Sequence, residues 1–100
     1  MPNGATVVVD GREIYYESHG VDGSSQPPLV LLHGGVGAHE MFAPLIPVLG
    51  KDRRLVAIDL QGHGRTPDAN RPLRFESMAD DIAGVVAKLH LAPADLVGTR

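Results

Sequence analysis

The chain opens with two short runs of strand-forming residues on either side of a tight turn. Residues 6–9 read Thr-Val-Val-Val, residues 12–17 read Arg-Glu-Ile-Tyr-Tyr-Glu, and Asp10-Gly11 separates the two runs. An Asp-Gly pair between such runs is the strongest short signal for a hairpin. The pattern therefore predicts a β-hairpin. The glycine-, serine- and proline-rich residues 19–28 predict a surface loop after it.

Three later segments are apolar without alternation. They are residues 29–32, residues 54–59 and the start of a further strand at residues 95–98. A short continuous apolar run bounded by turn signals is typical of a strand that is buried on both faces of a parallel sheet.

Two helices are predicted between these strands. Apolar side chains at helical spacing mark the clearer one: Met78, Ile82, Val85, Val86 and Leu89. Ser77 is the predicted N-cap with Asp80 three residues on, and Gly84 lowers the helix propensity by about 1 kcal/mol relative to alanine. In residues 41–49, Pro44 and Pro47 forbid one regular helix, so the pattern predicts a short turn and then a helix that starts near Pro44.

The predicted elements follow the order hairpin, strand, helix, strand, helix, strand. Strands that alternate with helices indicate parallel β-α-β units with right-handed crossovers. The expected fold class is therefore α/β, in a single domain over residues 1–100.

Composition narrows the function classes. The chain is 43% hydrophobic and 21% charged with a formal net charge of −3, which is the profile of a globular protein and argues against nucleic acid as a partner. It holds no cysteine, which excludes disulfides, thiolate metal sites and a cysteine nucleophile. No signal peptide or membrane-spanning run is visible, so the expected location is the cytoplasm, without a membrane partner.

Candidate chemistry lies in the loops that follow the buried strands. In an open parallel sheet, ligands bind beyond the carboxyl ends of the strands. Residues 33–37 and 61–66 both begin at such ends and are rich in glycine and histidine. Glycine allows backbone N–H groups to approach a ligand closely.

These loops resemble those of one family. Residues 31–35, Leu-Leu-His-Gly-Gly, resemble the oxyanion-hole turn of the α/β-hydrolases. Residues 59–66 resemble the D-x-x-G-x-G-x-[ST] turn that ends the next strand in that family, and residues 95–98 resemble the strand that leads into the nucleophile elbow, G-x-S-x-G. The resemblance covers essentially the whole chain.

The resemblance implies the N-terminal part of an α/β-hydrolase fold, an incomplete three-layer sandwich built from a β-hairpin and parallel β-α-β units. It implies a serine hydrolase that acts on a small-molecule ester or related acyl substrate without a cofactor or metal. The backbone amide of Gly35 corresponds to an oxyanion-hole donor, and His33, Gly34 and Val36 are expected at the substrate. The third and fifth strands are expected to be neighbours.

The family pattern breaks at the elbow. Position 100, where the nucleophilic serine is expected, is Arg100, and arginine offers no lone pair as a nucleophile. The acid and the catalytic histidine come later in the family's chain order. The expectation is a domain truncated on its C-terminal side and catalytically inactive, with an exposed apolar sheet edge that favours self-association.

Structural roles are the expectation for the other polar residues. His33 and His63 are expected to shape their turns, and Asp59 is expected to bond the turn that follows it. His19, His39 and His90 show exposed or helix-terminal positions and receive no role.

Two alternatives stay open. Gly35-x-Gly37 after a strand, with Asp59 about 20 residues on, resembles part of a dinucleotide-binding fingerprint, but the third glycine position holds Glu40, which would repel a pyrophosphate. The other alternative is a non-catalytic fragment that binds a partner through its exposed sheet edge.

Overall fold

The order of strands and helices is the one that the pattern predicts. The computed structural model describes residues 4–21, 26–33, 42–62, 64–66 and 75–98. The elements in these ranges are β1 (Gly4–Val9), β2 (Arg12–Gly20), β3 (Leu29–Leu32), α1 (Ile46–Leu49), β4 (Arg54–Ile58), α2 (Phe75–Lys88) and β5 (Asp95–Gly98).

The predicted hairpin is confirmed. β1 and β2 pair antiparallel and close with Val9 opposite Arg12. Asp10 and Gly11 both have positive φ, 51° and 78°, as the type I′ turn requires at both of its central positions. This turn suits the right-handed twist of the two strands.

The predicted loop over residues 19–28 begins too early. β2 continues to Gly20 because its second half pairs antiparallel with β4, with His19 opposite Leu55 and Gly20 opposite Arg54. Pairing with a strand more than thirty residues away keeps this backbone extended, and the local composition carries no signal of that partner.

The five strands form one mixed sheet in the order β1-β2-β4-β3-β5. β3 lies between β4 and β5 and pairs parallel with both. The predicted parallel β-α-β units are therefore confirmed, and so is the expected neighbourhood of the third and fifth strands. The antiparallel hairpin joins the parallel part of the sheet through β2 and β4.

The core lies on both faces of the sheet. On one face, residues of β3 and β4 pack with α2 and the segment after it, and the buried set includes Val30, Val56, Ile58, Val85 and Leu91. On the other face, alternate residues of the same strands pack with Phe42 and with α1, and the buried set is Leu29, Leu31, Leu55, Ala57 and Phe42. A strand with both faces covered needs an unbroken apolar run, which explains the composition of β3 and β4.

Two predicted helix starts are wrong. α2 begins at Phe75, so Ser77 is the third residue of the helix and cannot be its N-cap. α1 begins at Ile46 with Pro47 in its first turn, where the missing N–H of proline removes no helical bond. Pro44 lies in the turn that precedes the helix.

Gly84 has a packing role that its helix propensity does not show. A Cβ added at this position would overlap Cγ1 of Val9. The glycine therefore lets α2 approach β1 closely, and an alanine here would gain propensity but overpack the contact.

Neither described helix reaches the length and apolar character of a membrane span. α2, the longer of the two, has 14 residues and carries four charged side chains: Glu76, Asp80, Asp81 and Lys88.

Candidate functional site

The carboxyl ends of three parallel strands meet at one edge of the sheet. Leu32, the last residue of β3, lies opposite Ile58 of β4 and opposite Gly98 of β5. The chain therefore leaves all three strands at the same place. Ligands of open parallel sheets bind at this edge, so the residues that follow these strands define the candidate site.

His33 is the first residue after β3 and joins two of these strand ends. Its side chain is buried, and its Nε2 accepts a hydrogen bond from the backbone N–H of Leu60 at 2.9 Å. A neutral imidazole that accepts at Nε2 carries its proton on Nδ1. The bond holds the segment after β3 against the segment after β4, which is the turn-shaping role expected for this histidine.

Asp59 organises the loop that follows β4. The residue is fully buried, and its Oδ2 accepts a hydrogen bond from the backbone N–H of Arg65 at 3.0 Å. Gly64, with φ of 52°, lies so close that a Cβ there would overlap the carboxylate. The expected bond from Asp59 to its own turn is confirmed, and the glycine of the motif leaves room for the carboxylate.

Thr66 anchors the far end of this loop to the hairpin. Its Oγ1 accepts a hydrogen bond from the backbone N–H of Tyr15 at 2.8 Å. The backbone N–H of Asp59 donates to the carbonyl of the same tyrosine at 3.0 Å, and the Arg65 guanidinium lies 5.3 Å from the centre of its ring, within the range of a cation–π contact. The loop is thus fixed at both ends before any ligand binds.

The sequence analysis did not identify Tyr15 or the row of hydrogen-bonded polar side chains that it forms with Glu17 and His19. On β2, the Tyr15 hydroxyl donates to Glu17 at 2.9 Å, and the other carboxylate oxygen of Glu17 lies 3.0 Å from His19 Nε2. His19 is therefore half-buried and engaged, and the expectation that it is exposed was wrong. The i, i+2, i+4 spacing on a strand was the available signal for this row, since it places all three side chains on one face.

The environment of Tyr15 raises its pKa above the ordinary value of 10.0, first through burial and then through the hydrogen bond and the negative charge of Glu17. In a Tyr16→Phe variant, where Tyr15 is the remaining tyrosine, absorbance at 295 nm should report a titration midpoint above that of the same variant in urea. Because the pKa is raised in the fold, the stability that this group contributes is present below pH 10 and is lost as the pH rises through the folded pKa. Equal midpoints in the folded and unfolded chain would contradict this description.

Several predicted site residues lie outside the described residues. These are Gly34, Gly35, Val36, Gly37, His39, Glu40, His63 and Arg100. The oxyanion role of Gly35 and the substrate contacts of its neighbours stay predictions. The described strand ends do bring the start of that turn, at His33, to the edge where β5 also ends.

In the ranges that the structure describes, no group of three or more His, Asp or Glu side chains could hold a metal ion.

Comparison with known proteins identifies the family. The model of the α/β-hydrolase fold family matches residues 27–99. The chain is 32% identical over 99 residues to an uncharacterized hydrolase, YraK, of Bacillus subtilis, covering 97% of this chain and 35% of YraK. It is 28% identical over 86 residues to the 2-heptyl-3-hydroxy-4-quinolone dioxygenase AqdC1 of Rhodococcus erythropolis, covering 86% of this chain and 31% of that protein.

A solved structure shows the same fold. The enol-lactonase of Burkholderia xenovorans LB400 superposes with a TM-score of 0.88 at 28% identity, over 94% of this chain and 36% of the lactonase. The chain belongs to the α/β-hydrolase fold family. It spans about a third of the length of the relatives that it matches.

The family assignment disfavours the dinucleotide-binding alternative. That alternative requires the carboxylate of Asp59 to face a ribose. In the structure this residue is fully buried, and its carboxylate bonds the backbone of its own loop.

Proposed function

We propose that these 100 residues form the N-terminal part of a hydrolase of ester or lactone substrates and supply one side of its oxyanion-binding site. Acyl hydrolysis passes through a tetrahedral oxyanion, which is stabilised by backbone N–H donors held in place before the reaction. The residues described above supply the framework for one such donor, at the turn that begins with His33.

One observation carries this proposal. The hydrogen bond from Leu60 N–H to His33 Nε2 fixes the start of the glycine turn at the edge where β3, β4 and β5 all end. A donor that follows directly after a residue held in this way starts from a fixed position, which favours preorganisation. Removing one oxyanion donor from a hydrolase typically costs about 3 kcal/mol of transition-state stabilisation.

The names of the relatives support hydrolysis as the reaction class, although one of them names a different reaction. YraK is a hydrolase by name and the Burkholderia structure is an enol-lactonase, whereas AqdC1 is a dioxygenase. We choose an acyl substrate because the resemblance at residues 31–35 is to an oxyanion-hole turn, and because such a turn serves a carbonyl oxygen that becomes negative.

We further propose that the 100 residues alone do not turn over an ester. Arg100 occupies the serine position of the elbow pattern. Of the described serines, Ser18 accepts a hydrogen bond at its Oγ from Arg54 Nε, 3.1 Å away. A guanidinium cannot accept the proton of a nucleophilic hydroxyl, so this pair does not form an activated serine.

The test is an assay of p-nitrophenyl acetate hydrolysis together with labelling by a fluorophosphonate probe. The expected result is a rate no higher than that of buffer and no covalent label. Arg100→Ser alone should not restore turnover, because a nucleophile without a positioned base stays inactive. Covalent labelling of the unaltered chain at a serine would contradict the proposed inactivity.

A further inference from the structure

We propose that Thr66 is a positioning residue for the turn that begins with His33, and that it acts through the end of β4. This inference rests on the proposed function, because the turn serves acyl hydrolysis only if it carries an oxyanion donor. Thr66 is 5% exposed and bonds the backbone of β2, whereas His33 follows β3. The effect of Thr66 on the turn therefore passes through the chain that lies between β2 and β3.

The antiparallel pairing of β2 with β4 ends at Tyr15 and Asp59. In an antiparallel ladder, the two residues of a hydrogen-bonded pair exchange both N–H···O bonds. Asp59 makes the first of these bonds, from its N–H to the carbonyl of Tyr15 at 3.0 Å. The N–H of Tyr15, however, donates to Thr66 Oγ1 at 2.8 Å. A side-chain hydroxyl thus satisfies a buried N–H that a regular ladder would pair with the Asp59 carbonyl.

A second side chain closes the other edge of β4. β3 and β4 pair in parallel as far as Leu32 opposite Ile58. Two residues further along, the N–H of Leu60 donates to His33 Nε2 at 2.9 Å, where a regular parallel ladder would offer it a backbone carbonyl. The end of β4 is therefore held by a hydroxyl on the side of β2 and by an imidazole on the side of β3.

The loop after β4 closes a ring of hydrogen bonds around Asp59. The N–H of Arg65 donates to Asp59 Oδ2 at 3.0 Å, which folds the loop back and brings the next residue, Thr66, beside β2. Tyr15 then bonds the loop at both of its ends. Removal of the Thr66 hydroxyl leaves the Tyr15 N–H buried without this acceptor, so the segment must shift to satisfy it.

Leu60 transmits such a shift to His33. Its N–H belongs to the peptide plane that joins it to Asp59, so a movement of Asp59 turns this N–H. Hydrogen bonds weaken steeply as the donor angle closes, and the bond to His33 therefore depends on how Asp59 is held. The path from Thr66 to the turn consists of hydrogen bonds and one peptide plane, all within the described residues.

Nuclear magnetic resonance of the ¹⁵N-labelled chain measures the bond between Leu60 and His33 directly. An N–H···N hydrogen bond gives a scalar coupling between its two nitrogen atoms, here the amide nitrogen of Leu60 and His33 Nε2. This coupling should be present in the unaltered chain. It should be lost in Thr66→Val, which keeps the shape of the side chain without its acceptor oxygen, and kept in Thr66→Ser, which retains the oxygen.

Ser18→Ala serves as the control for a general loss of stability. It removes another hydroxyl acceptor between the same two strands, since Ser18 Oγ on β2 accepts from Arg54 Nε on β4 at 3.1 Å. Arg54 is the first residue of β4, so this bond lies at the opposite end of the strand from Asp59. The coupling between Leu60 and His33 should be unchanged in this variant.

Hydrogen exchange of the unaltered chain provides a second measurement that needs no variant. If one ring of bonds holds the loop, the amides of Tyr15 and Leu60 open as one unit. Their protection factors should then agree within about threefold and fall together as urea is added. Protection factors that differ by about tenfold or more would show separate openings and overturn the proposal, including when Thr66→Val does not fold.

The coupling decides the proposal when the variants fold. An unchanged coupling in Thr66→Val overturns it. An equal loss of coupling in Ser18→Ala also overturns it, because reduced stability would then explain the change. Loss in Thr66→Val with retention in Thr66→Ser supports it. None of these measurements involves turnover, so the proposal fails or succeeds separately from the proposed acyl hydrolysis, which turnover tests.

Discussion

Arg12→Leu is expected to lower the free energy of unfolding by about 2–3 kcal/mol, because it leaves the Asp81 carboxylate without its cation. Nη2 of Arg12, on β2, lies 2.5 Å from Oδ1 of Asp81, on α2, and the Asp81 side chain is 6% exposed. Removing the cation leaves a carboxylate in a site with little access to water. The expected loss lies below that of a fully buried pair because the Arg12 side chain is 28% exposed.

Urea denaturation followed by far-ultraviolet circular dichroism measures this loss, and a double-mutant cycle isolates the pair. Asp81→Leu and the double variant complete the cycle. The double variant should be more stable than the sum of the single losses predicts, because replacing both partners removes the buried charge together with its counter-ion. Additive losses would show that the two side chains do not act as a pair.

The second large effect is expected at the loop of the candidate site. Gly64→Ala should destabilise the fold by about 3 kcal/mol, from the sum of two causes. An L-residue at φ of 52° costs about 1–2 kcal/mol, and overpacking a tight contact costs about 1–3 kcal/mol more. The contact is with the buried carboxylate of Asp59, which a Cβ would overlap.

Gly11→Ala is the matched control. Gly11 has φ of 78°, but a Cβ added there meets no atom within 4 Å, so this substitution carries the conformational cost alone. Thermal unfolding of both variants should show a clearly larger fall in Tm for Gly64→Ala. Equal falls in Tm would mean that Gly64 is needed only for the backbone conformation of the turn. The lack of a Cβ there would then not be needed to make room for Asp59.

Local patterns were sufficient to predict the hairpin and the central strands. Asp10-Gly11 specifies its turn through two positive φ angles, and the apolar run at residues 29–32 specifies a strand covered on both faces. These signals depend on a residue and its near neighbours. They therefore remain readable when the tertiary structure is unknown.

Two of the features that the sequence did not predict have a common physical cause. The end of β2 depends on its pairing with β4, and the role of Gly84 depends on its contact with Val9. The start of α2, two residues before the predicted cap at Ser77, is a boundary that local composition marks weakly. Interactions between distant segments set the first two features, and spacing along the chain does not encode such interactions.

The candidate site, too, was predictable from the sequence only in part. The family resemblance located the turn at His33 and the loop from Asp59, and the bond from Asp59 to its own loop was predicted. The bond between His33 and Leu60 joins residues 27 apart, and the bond between Tyr15 and Thr66 joins residues 51 apart. No sequence pattern indicates either hydrogen bond, although both hold the loop after Asp59 in place.

The most direct test of the central claim is a chimera. In it, residues 1–98 replace the corresponding segment of the Burkholderia enol-lactonase, whose structure matches 94% of this chain, and the lactonase keeps its own nucleophile elbow in place of Arg100. If they carry a competent half of an acyl-hydrolase site, the folded chimera hydrolyses the lactonase's substrate, and Gly35→Pro, which removes the proposed donor N–H, lowers kcat by about 100-fold or more. A chimera with the melting behaviour of the parent lactonase but no turnover would contradict the account.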